Sequence, residues 1–156
     1  MNILDVQEYL ADTLLPAVAI TDPMVESIKR AYATVPDARM ALAVADLPCA
    51  MMPTHELQTA GFKSGFLGPM YAIKLQVFIA PATMEQGHSA RMAHAFEAAI
   101  IAKCSGAMRL GGNVSLIRDV RGERETVAVL EWAGIPYVGL DMWIDVTLKE
   151  AKAHSA

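Results

Sequence analysis

Six apolar residues occupy every second position near the end of the chain: Val138, Leu140, Met142, Ile144, Val146 and Leu148. Asp141, Trp143, Asp145 and Thr147 fill the positions between them. That period of two predicts a strand with one buried face. Met70 to Ala80 alternates in the same way, with Tyr71, Ile73, Leu75, Val77 and Ile79 on one side and Lys74 and Gln76 on the other. Two further strands are expected at Asn113–Val120 and Glu125–Trp132, joined as a hairpin by the polar turn Arg121-Gly122-Glu123-Arg124. Gly134 allows the turn into the last strand.

Two stretches carry helical spacing instead. Ile3, Val6, Leu10 and Leu14 form one apolar stripe, with Asn2 placed to cap the helix and Asp5 in its first turn. Pro16 limits that helix, because its ring nitrogen cannot donate. Thr83 and Gln86 have capping-box spacing for a second helix running to about Lys103. Its buried stripe is Met92, Phe96, Ala99 and Ile100, and Ser105-Gly106 ends it.

The remainder is less regular. Thr21-Asp22-Pro23 reads as a turn or a helix start. Ile28 to Val35 reads as a modest strand stopped by Pro36-Asp37. Leu47 to Pro53 is a short apolar run with prolines near both ends, which favours an edge strand. Thr54 to Pro69 holds Gly61, Gly65 and Gly68 with little periodicity and is expected to be a long hairpin loop or arm. Strands outnumber helices, and the two do not alternate as parallel βαβ units require. The expected class is α+β: a mostly antiparallel mixed sheet flanked by two main helices in a single domain over residues 1–150. Residues 151–156 are expected to form a flexible C-terminal tail.

The length of 156 residues suits one domain. A chain of this size buries roughly 70% of its unfolded surface without needing disulfides or a metal. Its residues are 54% hydrophobic and 19% charged, slightly more apolar than a typical soluble monomer, which leaves room for surface covered by partner subunits. The net charge of −4 and the absence of a Lys/Arg cluster argue against electrostatic capture of nucleic acid. Cys49 and Cys104 are far apart, so buried free thiols in a reducing compartment are expected. Met1 to Val6 lacks the basic start of a secretory signal, and no apolar run reaches the ~20 residues that span a bilayer.

Candidate chemistry is sparse. His88 and His94 lie ~240° apart around their helix, and His94 and Cys104 ~280° apart, so neither pair converges as metal ligands or as a Cys-His couple. Asp141 and Asp145 lie ~13 Å apart along one strand face, too far to share a proton. They read as solvating charges or as partners for basic residues of a neighbouring subunit. Leu110-Gly111-Gly112-Asn113 follows a helix and precedes a strand, the reverse of a phosphate-binding loop. Trp143 and Phe78 fall on the polar side of their strands, so either both sheet faces are covered within the chain or these aromatics meet another subunit.

Taken in order, these segments resemble the bacteriophage tail-terminator (tail-completion) family of the lambda type. The resemblance is carried by the initial helix, Val35-Pro36, Ala45-Asp46-Leu47-Pro48-Cys49-Ala50, the long loop and strong strand, the second helix, Leu110-Gly111-Gly112-Asn113-Val114, and a closing meander with Gly134-Ile135-Pro136-Tyr137-Val138-Gly139. It is one of order and spacing over nearly the whole chain. It implies a sheet flanked by helices and a ring, usually a hexamer, that caps the tail tube, ends its polymerisation and joins it to the head-side connector. The implied partners are further copies of the chain, the tail tube protein and the connector or neck protein. DNA passes through the lumen without specific binding, and no membrane or cofactor is involved. The implied location is the head-proximal end of the virion tail, after synthesis in the host cytoplasm. The family brings no catalytic, cofactor or metal residues. Exposure and length point to Phe62, Lys63 and Phe66 of the loop and Arg118, Arg121 and Arg124 of the hairpin tip as interface candidates, beside Phe78 and Trp143. The alternatives are a head–tail connector or neck adaptor, a minor tail protein, or a ligand-binding or enzymatic α+β domain.

Overall fold

The computed structural model describes residues 2–36, 41–59, 69–82, 86–106, 109–110 and 115–148. The first helix, α1 (Ile3–Tyr9), starts at a reciprocal capping box: Asp5 N–H donates to Asn2 Oδ1 at 2.9 Å, and Asn2 N–H donates to Asp5 Oδ2 at 2.8 Å. It widens into a π turn over Leu10–Leu14 and tightens into a 3₁₀ turn over Leu15–Ala17, where Pro16 sits at the start and Val18 is already extended. Val6, Leu10 and Leu14 are buried, as their spacing requires.

Thr21-Asp22-Pro23 resolves as a turn: β1 (Ala19–Ile20) and β2 (Glu26–Ser27) form a small separate hairpin around it. The strand expected over 28–35 shrinks to β3 (Arg30–Tyr32). The reason lies in its partner. β3 pairs in parallel with β4 (Cys49–Met51), which is hemmed in by Pro48 and Pro53, so only three rungs exist. β4 is not the edge strand its prolines suggested. Those prolines flank the paired residues instead of interrupting them, and β3 lies outside β4.

The expected loop from Thr54 is also strand at first. β5 (His55–Thr59) pairs antiparallel with β6 (Met70–Pro81), on the same side of β6 as β4. Met51 faces Gln76 and His55 faces Ile73, so one register step at Pro53 separates two parts of a nearly continuous strand. β5 was hidden because its one large apolar residue, Leu57, is exposed and leaves no alternation to read. Residues 60–68, with the loop candidates Phe62, Lys63 and Phe66, lie outside the described residues, as do Thr83 of the capping box, residues 111–114 and the tail from 149.

Helix α2 (Gln86–Gly106) buries Met92, Phe96, Ile100 and Cys104, one residue per turn. After it, β7 (Arg109–Leu110) pairs with the start of β8 (Ser115–Trp132), which runs antiparallel to β9 (Ile135–Leu148) for its whole length. The two strands expected at 113–120 and 125–132 are thus collinear, not a hairpin. The fourteen residues of β9 offer a partner to both halves, and the polar segment from Glu123 becomes a large bulge between the Gly122–Met142 and Val127–Leu140 pairs.

The sheet order is β3-β4-β6-β9-β8-β7, with β5 beside β6, and only β3 and β4 run parallel. This is the expected α+β class, a mixed and mostly antiparallel sheet with two helices. Both helices lie on one face, where Val6, Leu10, Phe96 and Ile100 pack on Ile73, Leu75, Val77, Leu140, Met142 and Ile144 in a single core cluster. No described helix is long and apolar enough to cross a membrane.

Candidate functional site

Because side chains alternate along a strand, the residues of β6 and β9 that do not meet the helices all emerge on the opposite face. That face has two unlike halves. At one end Phe78 and Tyr137, each 1% exposed, pack with Cys49, Met51 and Leu130. Phe78 meets Tyr137 edge-on at 5.6 Å and Trp132 at 6.4 Å. The Leu42–Leu47 segment closes over them, pinned where Leu42 N–H donates to Tyr137 Oη at 3.1 Å. Phe78 is therefore covered within the chain, the first of the two alternatives its position left open.

The other half is charged and centred on Trp143. Lys74 Nζ lies 4.6 Å from the centroid of its ring and the Arg121 guanidinium 5.6 Å from it. Register explains the meeting, because Lys74 and Arg121 are the cross-strand partners of Trp143 on β6 and β8. The Trp143 indole donates to Glu123 Oε1 at 2.6 Å. Lys74 also pairs with Asp141 at 2.7 Å and with Glu123 at 3.4 Å. Arg121 grips Asp145 through two bonds of 2.9 and 3.1 Å. Asp141 and Asp145 are thus paired inside the chain instead of being solvated or left for a neighbour's basic residues. The sequence placed Lys74, Asp141, Trp143 and Asp145 on strand faces but set Arg121 and Glu123 in a turn, and it could pair none of them, because cross-strand register is not visible in a single strand.

Two cations and three carboxylates leave this cluster with one net negative charge. Its electrostatics favour the charged forms of Arg121 and Glu123. The Asp145 bond, followed by the surrounding carboxylates, pushes Arg121 above its ordinary value. The bond from Trp143, aided by Lys74 and Arg121, holds Glu123 below the usual carboxylate range. Arg121 and Glu123, so held, neither take nor give a proton near neutral pH, which suits this part of the cluster to recognition and rigidity more than to acid–base work.

The nucleophile candidates are equally still. Both thiols are fully buried. Burial pushes Cys49 up to about 12, with the Asp46 charge adding to the effect and Arg30 opposing it, and pushes Cys104 up to about 11. Among the described residues no group of three His, Cys, Asp or Glu side chains could hold a metal ion.

One polar site was missed. Gln7 is buried, and its amide nitrogen donates to the carbonyls of Ala33 and Met52. Those two acceptors fix the amide orientation, so Gln7 Oε1 accepts from His55 Nδ1 at 2.7 Å. The signal was present: Gln7 stands at a stripe position, four after Ile3 and three before Leu10, where an apolar residue is expected. It ties α1 to the start of β5, and Tyr71 meets the His55 ring edge-on at 5.6 Å.

Among the clefts that indent the surface of the described residues are two of different size. The larger, about 340 Å³, lies among Met24, Lys29, Leu47, Pro81, His88 and Met92. The smaller, about 240 Å³, lies between the end of α2 and β8 and is bordered by Cys104, Arg118 and Val120. Of the remaining interface candidates, Arg118 is exposed at a one-residue bulge and Arg124 falls within the large one. Arg121 and Trp143 are brought together, while Phe78 belongs to the apolar half. The chain matches no protein-family model, and no curated protein is a significant match to it.

Proposed function

We propose that the chain is a bacteriophage tail-terminator subunit, a structural protein whose copies close into a ring, most simply a hexamer, at the head-proximal end of the tail. The order of its elements carries this reading. An opening helix leads through Asp46-Leu47-Pro48 into β4, then a β5–β6 hairpin, helix α2, and the long β8–β9 hairpin with its Gly134-to-Gly139 segment. That order fits the family that the sequence resembles in order and spacing over nearly the whole chain.

The site chemistry supports a structural role over a catalytic one. Its charges are paired within the chain, its thiols are protonated, and its aromatic ring is held by two cations. A polar patch of this kind sets the register of a protein contact more than its affinity. The ring caps the tail tube, stops its growth, and presents its other side to the head–tail connector. Its net charge of −4 lets DNA slide through the lumen without sticking.

Negative-stain imaging of the purified protein, alone and with preassembled tail tubes, tests the reading. Rings seated at tube ends are expected. Rings that ignore tubes would move the protein to the connector side, and monomers beside intact tubes would overturn the assembly role.

A further inference from the structure

We propose that the outer edge of β8 between Val127 and Glu131 is where a second copy of this chain adds its β3 strand, continuing the sheet antiparallel from subunit to subunit. This deepens the ring reading and rests on it for the number of copies, though not for the contact itself.

The edge is long and unevenly protected. Only β7 pairs with the outer side of β8 among the described residues, and only at 115 and 116. Arg118, Asp119, Arg121, Glu123 and Glu125 guard the stretch that follows, as charges on natural edge strands do. Protection then lapses. Val127-Ala128-Val129-Leu130 is an apolar run in regular pairing with β9, and Val129 is 64% exposed. A straight, uncharged edge of this kind is a template for strand addition.

Strand polarity selects the occupant. Across the sheet, β3 and β4 run one way, β6 the other, β9 with β4, and β8 with β6. The two edges, β3 and β8, are therefore opposite in direction. A rotation that carries one copy onto the next keeps the sheet's direction, so it lays β3 antiparallel to β8, the stronger pairing. A contact between unlike edges is heterologous, the kind that forms a ring where its rotation closes.

Charge selects the same partner. Following the rungs, Arg30 is level with Cys49, Phe78, Gly139 and finally Ala128. Pairing without stagger thus places Arg30, with Lys29 beside it, against a segment bounded by Glu125 and Glu131. Arg30 is only loosely held by Asp46, at 3.5 Å with both side chains largely exposed, so it is free to change carboxylates. Pairing of β8 with a second β8, centred on Ala128, would instead set Glu131 opposite Glu125 of the other copy, a like-charge rung that disfavours it.

The test uses the full chain and two kinds of variant. Val129→Lys places a charge on an already exposed side chain, and it is expected to weaken self-association in sedimentation velocity by about tenfold or more while leaving the thermal melt unchanged. Lys29→Cys/Val129→Cys, whose side chains face each other on one side of the sheet when Arg30 is level with Ala128, is expected to give a ladder of covalent oligomers with a short bis-maleimide, whereas Val129→Cys alone gives none. The native thiols are buried and protonated and do not compete. Should Val129→Lys misfold, the cross-linking pair still decides. Unchanged association of a folded Val129→Lys protein, or equal cross-linking of Val129→Cys alone, would overturn the β3–β8 pairing. Rings that survive Val129→Lys remove this contact but leave the terminator reading standing. Strand-linked oligomers that never seat on tube ends keep the contact and remove the terminator.

Discussion

At the scale of single residues, the fold depends on one close approach that the sequence does not announce. Gly139 sits in β9 opposite Phe78, where β6 carries a bulge before Ala80 pairs with Val138. A Cβ built on Gly139 would clash with the Val77 carbonyl oxygen, a backbone atom that cannot swing aside. Hydrogen is the only substituent that lets β6 come this close. Gly139→Ala is therefore expected to destabilise the protein by about 3 kcal/mol or more, read from urea midpoints, because the two central strands must separate to admit a methyl group. An effect below about 1 kcal/mol would show that the strands give way easily. Trp143 illustrates the opposite case. Its place on the polar side of β9 was legible from alternation alone, while its cation neighbours were set by register with β6 and β8. Gln7 falls between the two: its misfit in the α1 stripe was visible, but its acceptors on Ala33 and Met52 come from distant chain segments.

At the scale of elements, periodicity recovered what it measures. α1, α2, β6 and β9 each bury one face against the core, so their patterns were complete in sequence. Elements whose partners decide their length were misread. β3 is short because β4 is short, β5 has no buried stripe, and β8 reads as two strands because a polar bulge interrupts it. The β8–β9 turn is the local signal that was right in kind but incomplete. Trp132 pairs with Ile135, leaving Ala133 at φ 52° and Gly134 at φ 77° as a two-residue turn with both centres left-handed. Glycine adopts that conformation freely, whereas alanine at the first centre costs about 1 kcal/mol. Ala133→Asn is expected to raise stability by about 0.5–1 kcal/mol, seen as a rise in Tm, since Asn-Gly is the preferred pair for this turn. Gly134→Ala should lower Tm. A lower Tm for Ala133→Asn would mean that contacts of the Ala133 methyl group outweigh its backbone strain.

At the scale of the whole molecule, stability answers acid through one sheet face and alkali through both. On the charged face, Glu123 is held below the usual carboxylate range, so its contribution is present above its unfolded value and fades as pH falls through the folded one. Because Glu123 is exposed, that acid-side effect is small. The alkaline side is governed by thiols buried on both faces, Cys104 in the helix-side core and Cys49 in the cluster beneath Leu42–Leu47. Each has a folded pKa above its ordinary 9.0, at about 12 for Cys49 and about 11 for Cys104. The unfolded chain then loses these protons first, so the stabilisation is complete below pH 9.0 and is lost as pH rises toward the folded values. At about pH 10.5 each thiol should cost roughly 2 kcal/mol relative to pH 8, about 4 kcal/mol for the pair. Lysine and tyrosine ionisation also acts in this range, so the decisive quantity is a difference between proteins. Cys104→Ala lowers stability at every pH through its cavity, but its loss between pH 8 and pH 10.5 should be smaller than that of the wild type by roughly 2 kcal/mol. Cys49→Ala should behave alike, and the double variant should retain only the alkaline loss due to other groups. Urea titrations of the four proteins at the two pH values measure this directly. Equal losses in all four would mean that the thiols ionise as readily in the folded protein as in the unfolded chain, and that neither face is as dry as its packing implies.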